Sequence, residues 1–180
     1  MSVIGWNRPE GAARGFTLIE VSIVVVVIGI LAVASIPALR SVTDINQAGA
    51  KAEVERRVVL VRSLAIASGV PHGVRLDLER SSMTLLTIRT PGTLPEMALD
   101  ALGNRTGALS LGAQHPGAAI TSFVNGDGRA GTGTLWFGYA GYPQIRDEDG
   151  LIGGVFTSSA RVGLAGGYTI GVSAAGAIER

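Results

Sequence analysis

Between Glu20 and Arg40 no side chain is charged, and residues 21–39 are apolar except for two serines, a glycine and a proline. A helix of that length rises about 28 Å, close to the roughly 30 Å of a bilayer's hydrocarbon core. A soluble domain has no use for such a rod. The surroundings also decide its conformation: Val21, Ile23 to Ile28, Ile30 and Val33 favour strand in water, but lipid requires backbone groups paired within the segment and so imposes helix. Glu20 heads the run. A carboxylate in a membrane span costs on the order of 3 kcal/mol, so an acid there points to function.

Two plainer readings compete. A cleaved secretory signal has an apolar region of about 7 to 15 residues ending at a small-residue cleavage site, whereas this run is longer and holds Ala32-Val33-Ala34 inside it. A simple anchor would tolerate Glu20 at the interface. Neither explains why Gly15-Phe16-Thr17-Leu18-Ile19-Glu20 stands directly before the span.

That hexapeptide resembles the processing site of type IV prepilins and type II secretion pseudopilins. The resemblance implies that residues 1–15 are a leader removed after Gly15 by prepilin peptidase, that Phe16 becomes an N-methylated N-terminus, and that Glu20 meets a neighbouring subunit. It directly covers about the first quarter of the chain. Electrostatics supports the role: cleavage would create an α-amino group on Phe16, four residues before Glu20, and both groups need partners among apolar helices. Pairing one subunit's Glu20 with another's Phe16 ammonium would fix axial register, as one buried polar group does in a coiled coil.

The net charge of +1 provides no basic excess for binding a phosphate backbone, so nucleic acid is not an expected partner. Cysteine is absent, and no cofactor is implied. Arg8, Glu10 and Arg14 before the span against Arg40 and Asp44 after it give a weak charge bias. Orientation therefore follows from the resemblance: a single pass in the inner membrane, a cytoplasmic leader and a periplasmic body.

Residues 1–15 show no apolar period and read as a processing segment. Residues 16–39 form the transmembrane and assembly helix, within which Gly29 and Pro37 are expected to weaken or break the helix. The resemblance implies a stretch that unwinds in a filament; an ordinary proline kink is the alternative. Residues 40–69 read as an amphipathic helix with Val54, Val58, Val61 and Ala65 on one face, ion pairs Lys51–Glu55 and Glu53–Arg57, and a stop near Ser68 at Gly69 and Pro71. A restart near Arg40, capped by Ser41 and Asp44, is a second option.

Residues 70–180 read as a β-rich body. Val74, Leu76 and Leu78 alternate with charged residues, and Arg80 to Ser82 turn into a second strand from Met83 to Thr90. Residues 91–117 read as loops with one short strand; later strands are expected over 118–124, 134–140, 151–157, 167–173 and 177–179. The segments Thr134 to Pro143 and Tyr168 to Ala177 are similar to the last strands of GspH/FimT-type minor pseudopilins.

Catalysis finds no support in spacing. His72 and His115 each adjoin a proline, with no acid or serine in register. Asn125 to Gly128 and Asp147-Glu148-Asp149 offer hard oxygens for calcium, but Asx-Gly clusters are above all turn formers, and no metal site is expected. In Trp136, Phe137, Tyr139 and Tyr142, alternation splits the aromatics between two faces; most should be core, with some surface left for a partner. Arg161 and Arg180 form no cluster.

The expectation is a non-enzymatic α+β protein, a long N-terminal helix packed on a small antiparallel β-sheet domain. Its implied partners are prepilin peptidase, other pilins or pseudopilins in a filament, and the inner-membrane assembly platform. A type II secretion pseudopilus is the first assignment, and a minor type IV pilin for adhesion or DNA uptake the alternative.

Overall fold

The computed structural model describes residues 16–100, 103–147, 150–154 and 156–179, without the side chains of residues 37–40. The expected leader lies outside these residues. Contacts divide the chain into two compact units, residues 1–40 and 41–180.

In the first unit the chain enters helix α1, Leu18–Ser68, and every side chain from Phe16 to Ile36 is exposed. Helical hydrogen bonding is assigned through Gly29 and Pro37, although proline removes the bond to the carbonyl of residue 33. Ser22 and Ser35 donate to the carbonyls of Leu18 and Leu31, so neither hydroxyl needs a partner outside its own helix. No restart occurs at Ser41, because α1 is a single 51-residue element.

The second unit begins within α1. Val54, Val58, Val61 and Ala65 are buried, the stripe that the periodicity predicts, and Ala50 extends it by one turn. The helix ends where its C-cap signal stands: Gly69 takes φ 70° and donates its N–H to the Ala65 carbonyl. Glu53, only 8% exposed, binds both Arg57 and Arg56, which extends the predicted pair into a triad on the helix.

Against this stripe lie two antiparallel sheets rather than one. The first contains β1 (His72–Asp77), β2 (Ser82–Thr87), β3 (Glu96–Met97), β4 (Leu109–Ser110), β6 (Gly133–Phe137), β7 (Pro143–Arg146) and β8 (Ile152–Gly154), in the order β3-β2-β1-β6-β7-β8 with β4 also pairing β2. The second has the order β11-β10-β9-β5, from β5 (Ile120–Val124), β9 (Ala160–Leu164), β10 (Thr169–Val172) and β11 (Ile178–Glu179). A short helix α2, Leu111–Gln114, links β4 to β5. One core joins the α1 stripe to Val74, Leu76, Met83, Leu85 and Phe137 from the first sheet and Phe123, Val162, Ile170 and Val172 from the second.

Three sequence expectations need correction. Residues 91–117, expected to be loops with one short strand, hold two, β3 and β4, and the helix α2. The strand expected over 151–157 is confined to Ile152–Gly154. Strands β7 and β9 were not anticipated: β7 follows the turn after Trp136-Phe137, and β9 alternates buried Ala160, Val162 and Leu164 with Arg161 and Gly163 inside a glycine-dense stretch. On the far face of the first sheet, Trp136 packs with Leu86 and Ile88, and its ring lies over Gly73, where a Cβ would come within 2.6 Å of it.

Candidate assembly site

The residues expected to carry function stand at the head of α1. Thr17 occupies the N-cap position and Glu20 the third helical one. The Thr17 N–H donates to Glu20 Oε2 at 3.2 Å, the Thr17 hydroxyl lies 3.3 Å from the same oxygen, and the Glu20 N–H donates to Thr17 Oγ1 at 3.3 Å. This is a reciprocal capping box, which pairs backbone donors that a helix start leaves unsatisfied. Sequence reasoning gave Glu20 a role between subunits and overlooked its role within its own chain. The signal was present, since Thr-x-x-Glu before an apolar run is the signature of such a cap.

The cap leaves the carboxylate half free. Both contacts use Oε2, so Oε1 makes no hydrogen bond among the described residues. Phe16, the residue before the cap, is 81% exposed. Beyond Glu20, α1 is the one helix among the described residues long and apolar enough to cross a membrane. It carries no charge before Arg40 and buries none of its side chains from Phe16 to Ile36, so it offers apolar surface to lipid or to like helices.

The other candidate residues are scattered. His72 is buried at the start of β1, with Nδ1 3.0 Å from the Val70 carbonyl. Burial pushes its imidazole below the usual range, the Val70 carbonyl opposes that shift, and the charge of Arg89 adds to it. The ring of His115 packs on Gly49 instead. The oxygens of Asn125 and Asp127 serve the turn: Asn125 Oδ1 accepts from the Gly126 N–H, and Asp127 accepts from the Arg129 N–H and lies 3.4 Å from its guanidinium. Asp147 Oδ1 accepts from the Leu151 N–H, while Glu148, Asp149 and Arg180 lie outside the described residues. Arg75, Arg129 and Arg146 line a groove of about 740 Å³ on the outer face of the first sheet, but Asp77 and Asp147 stand among them. Such alternating charge makes no stripe for a phosphate backbone. Of the aromatics, Trp136 and Phe137 are buried on opposite faces of β6, whereas Tyr139 and Tyr142 in the β6–β7 turn are exposed.

Comparison with known proteins places these features. The prokaryotic N-terminal methylation motif matches residues 12–36, which include Phe16, Glu20 and most of the apolar run. Type II secretion system protein H of Vibrio cholerae serotype O1 is 33% identical over 96 residues, which cover 53% of this chain and 49% of that protein. The chain thus spans about half the length of the curated relative it matches. The crystal structure of the minor pseudopilin EpsH from the type II secretion system of Vibrio cholerae is similar with a TM-score of 0.52 and 16% identity, covering 77% of this chain and 94% of that one. The fold is therefore the α+β, pilin-like one that the sequence suggested.

Proposed function

We propose that this chain is a minor pseudopilin, a non-enzymatic subunit of a type II secretion pseudopilus. The observation that carries this reading is the methylation motif over residues 12–36, which covers a helical stretch, residues 21–36, that is uncharged and exposed throughout. The similarity of the chain to protein H over 96 residues, together with the fold it shares with EpsH, supports placing it among minor subunits.

On this reading residues 1–15 are the leader, prepilin peptidase cuts between Gly15 and Phe16, and Phe16 is N-methylated. Residues 16–39 then hold the subunit in the inner membrane, and residues 40–69 join that anchor to the periplasmic body of residues 70–180. During assembly a platform protein draws the helix into a bundle of like helices, where apolar surface supplies the attraction. Glu20 sets the register. Its Oε2 stays in the cap with Thr17 while Oε1 takes the Phe16 ammonium of a neighbour, so a buried charge gains a partner without uncapping the helix. Gly29 and Pro37 provide the weak stretch where the helix lengthens if the filament requires it.

The test is the N-terminal mass of the protein purified from its native membranes. A chain starting at Phe16 with one extra methyl is expected. An intact leader in cells with a working prepilin peptidase would sink the proposal. Neighbouring genes for a secretion ATPase and an outer-membrane ring would separate this assignment from a type IV pilus, which a retraction ATPase would mark.

A further inference from the structure

On the outer side of α1, away from the core stripe, Arg62 is wedged between two turns. Its Nη1 donates to the Gly176 carbonyl at 2.8 Å in the turn between β10 and β11. A Cβ at Gly141, in the β6–β7 turn, would lie 3.3 Å from Arg62 Nε, and one at Gly176 3.4 Å. The guanidinium packs against both turns, while the glycines themselves answer to positive φ and to closer neighbours, Ile66 for Gly141 and the Gly141 carbonyl for Gly176. Its Nε is buried without an acceptor, and among the described residues it pairs with no carboxylate. Nη2 makes no hydrogen bond there either. A half-buried cation in this state lacks the counter-charge that makes such burial favourable.

The surroundings have the character of an interface. A cavity of about 220 Å³ opens beside Arg62, lined by Val59, Ser63, Ile66 and Ile178 among others. Ile66 backs onto Gly141, and Tyr139 and Tyr142 flank that turn; Val59, Ile66 and both tyrosines are at least half exposed. An arginine on a small pocket, with two exposed tyrosines in the adjoining β6–β7 turn, supplies the residue types that dominate binding energy at protein interfaces.

We propose that this face docks a neighbouring pilin-like subunit, which presents a carboxylate to Arg62 Nη2 and seats an adjoining apolar side chain in the cavity. The identity of the partner rests on the function proposed above; its chemistry rests on the unpaired guanidinium, whose planar donors suit a carboxylate. Full-length protein in native cells, carrying a photo-crosslinking phenylalanine at Tyr142, tests this, with the same residue at Val25 in the span as a measure of assembly itself. The expected result is a Tyr142 adduct with a different polypeptide that bears its own N-terminal methylation motif. Arg62→Gln should reduce its yield about tenfold while leaving the Val25 adduct in place.

Because Arg62 also ties the Gly176 turn, Ile66→Glu serves as the second variant. It places a carboxylate four residues from Arg62 on an exposed position, and should abolish the Tyr142 adduct without lowering the midpoint of thermal unfolding. Adducts at Val25 but none at Tyr142, or a Tyr142 yield indifferent to both substitutions, would overturn the docking face and leave the pseudopilin reading intact. A Tyr142 adduct with a second copy of this chain, or with an exported protein, would also overturn it. Absence of pilin-like adducts at both positions would overturn the pseudopilin reading, and the docking face with it.

Discussion

Glu20→Gln separates the capping role that the structure shows for this carboxylate from the role between subunits that we propose for it. Glutamine at the third helical position still completes a capping box, because its carbonyl oxygen accepts from the Thr17 N–H as the carboxylate does. Helix capping contributes about 0.5–2 kcal/mol, and the contacts here, at 3.2 to 3.3 Å, sit at the long end of hydrogen-bond range. The cap is therefore worth roughly 1 kcal/mol. The charge is worth more. Removing one partner of a desolvated, hydrogen-bonded ion pair costs about 2–5 kcal/mol, so each subunit contact should weaken by roughly 30-fold or more.

Incorporation should consequently fall sharply in Glu20→Gln and further in Glu20→Ala, which loses cap and charge together. Leader removal should continue in both, since the cut lies before Phe16. The assay is the fraction of subunit recovered with sheared filaments, read beside the N-terminal mass of the membrane-bound pool. If Glu20→Gln assembled as the unmodified chain does while Glu20→Ala failed, Glu20 would be a helix cap and nothing else. The register argument would then be wrong.

Three further perturbations probe the body, with thermal unfolding of the full chain in detergent as the common measurement. Gly73→Val drives a side chain into the Trp136 ring and the Thr134 methyl, so it should cost about 1–3 kcal/mol and red-shift Trp136 emission in a Trp6→Phe background; an unchanged spectrum would contradict the packing described. Phe137→Ala empties a fully buried site and should cost about 3–5 kcal/mol, whereas Tyr142→Ala, at an exposed position, should stay within about 0.5 kcal/mol. The His72 imidazole is harder to protonate in the folded body than in the unfolded chain, so its contribution to stability is complete above about pH 6.5 and declines as pH falls from there through its lowered folded value. The unfolding midpoint should drop between pH 7 and pH 5, and His72→Gln should flatten that drop; an identical slope in the variant would assign it elsewhere.

What the sequence revealed and what it hid divide by the range of the interactions involved. The α1 stripe was legible because Val54, Val58, Val61 and Ala65 recur on one helical face, and the end of the helix because Gly69 and Pro71 act locally. The exposed first half of α1 was legible for the opposite reason to the usual one: its β-branched run contradicts helix propensity, and a lipid surrounding would reconcile the two. Strand β9 obeys the two-residue period, but glycine on either side weakened the pattern. Arg62 was beyond reach. Along the helix it reads as an ordinary solvated cation, and it is enclosed by turns around Gly141 and Gly176, 79 and 114 residues later in sequence (141 − 62 and 176 − 62). No local periodicity carries that information, because neither turn alone encloses the guanidinium. The head of α1 shows the converse. There the whole cap lies within four residues, so its geometry was available in Thr17-Leu18-Ile19-Glu20 from the start, and a role assigned to Glu20 between subunits obscured one within its own chain. The two roles are compatible because a carboxylate has two oxygens. Glutamine is long enough to keep one oxygen in the cap but puts a donor NH₂ where the carboxylate has its second oxygen, so it should satisfy the helix while leaving the filament without its register.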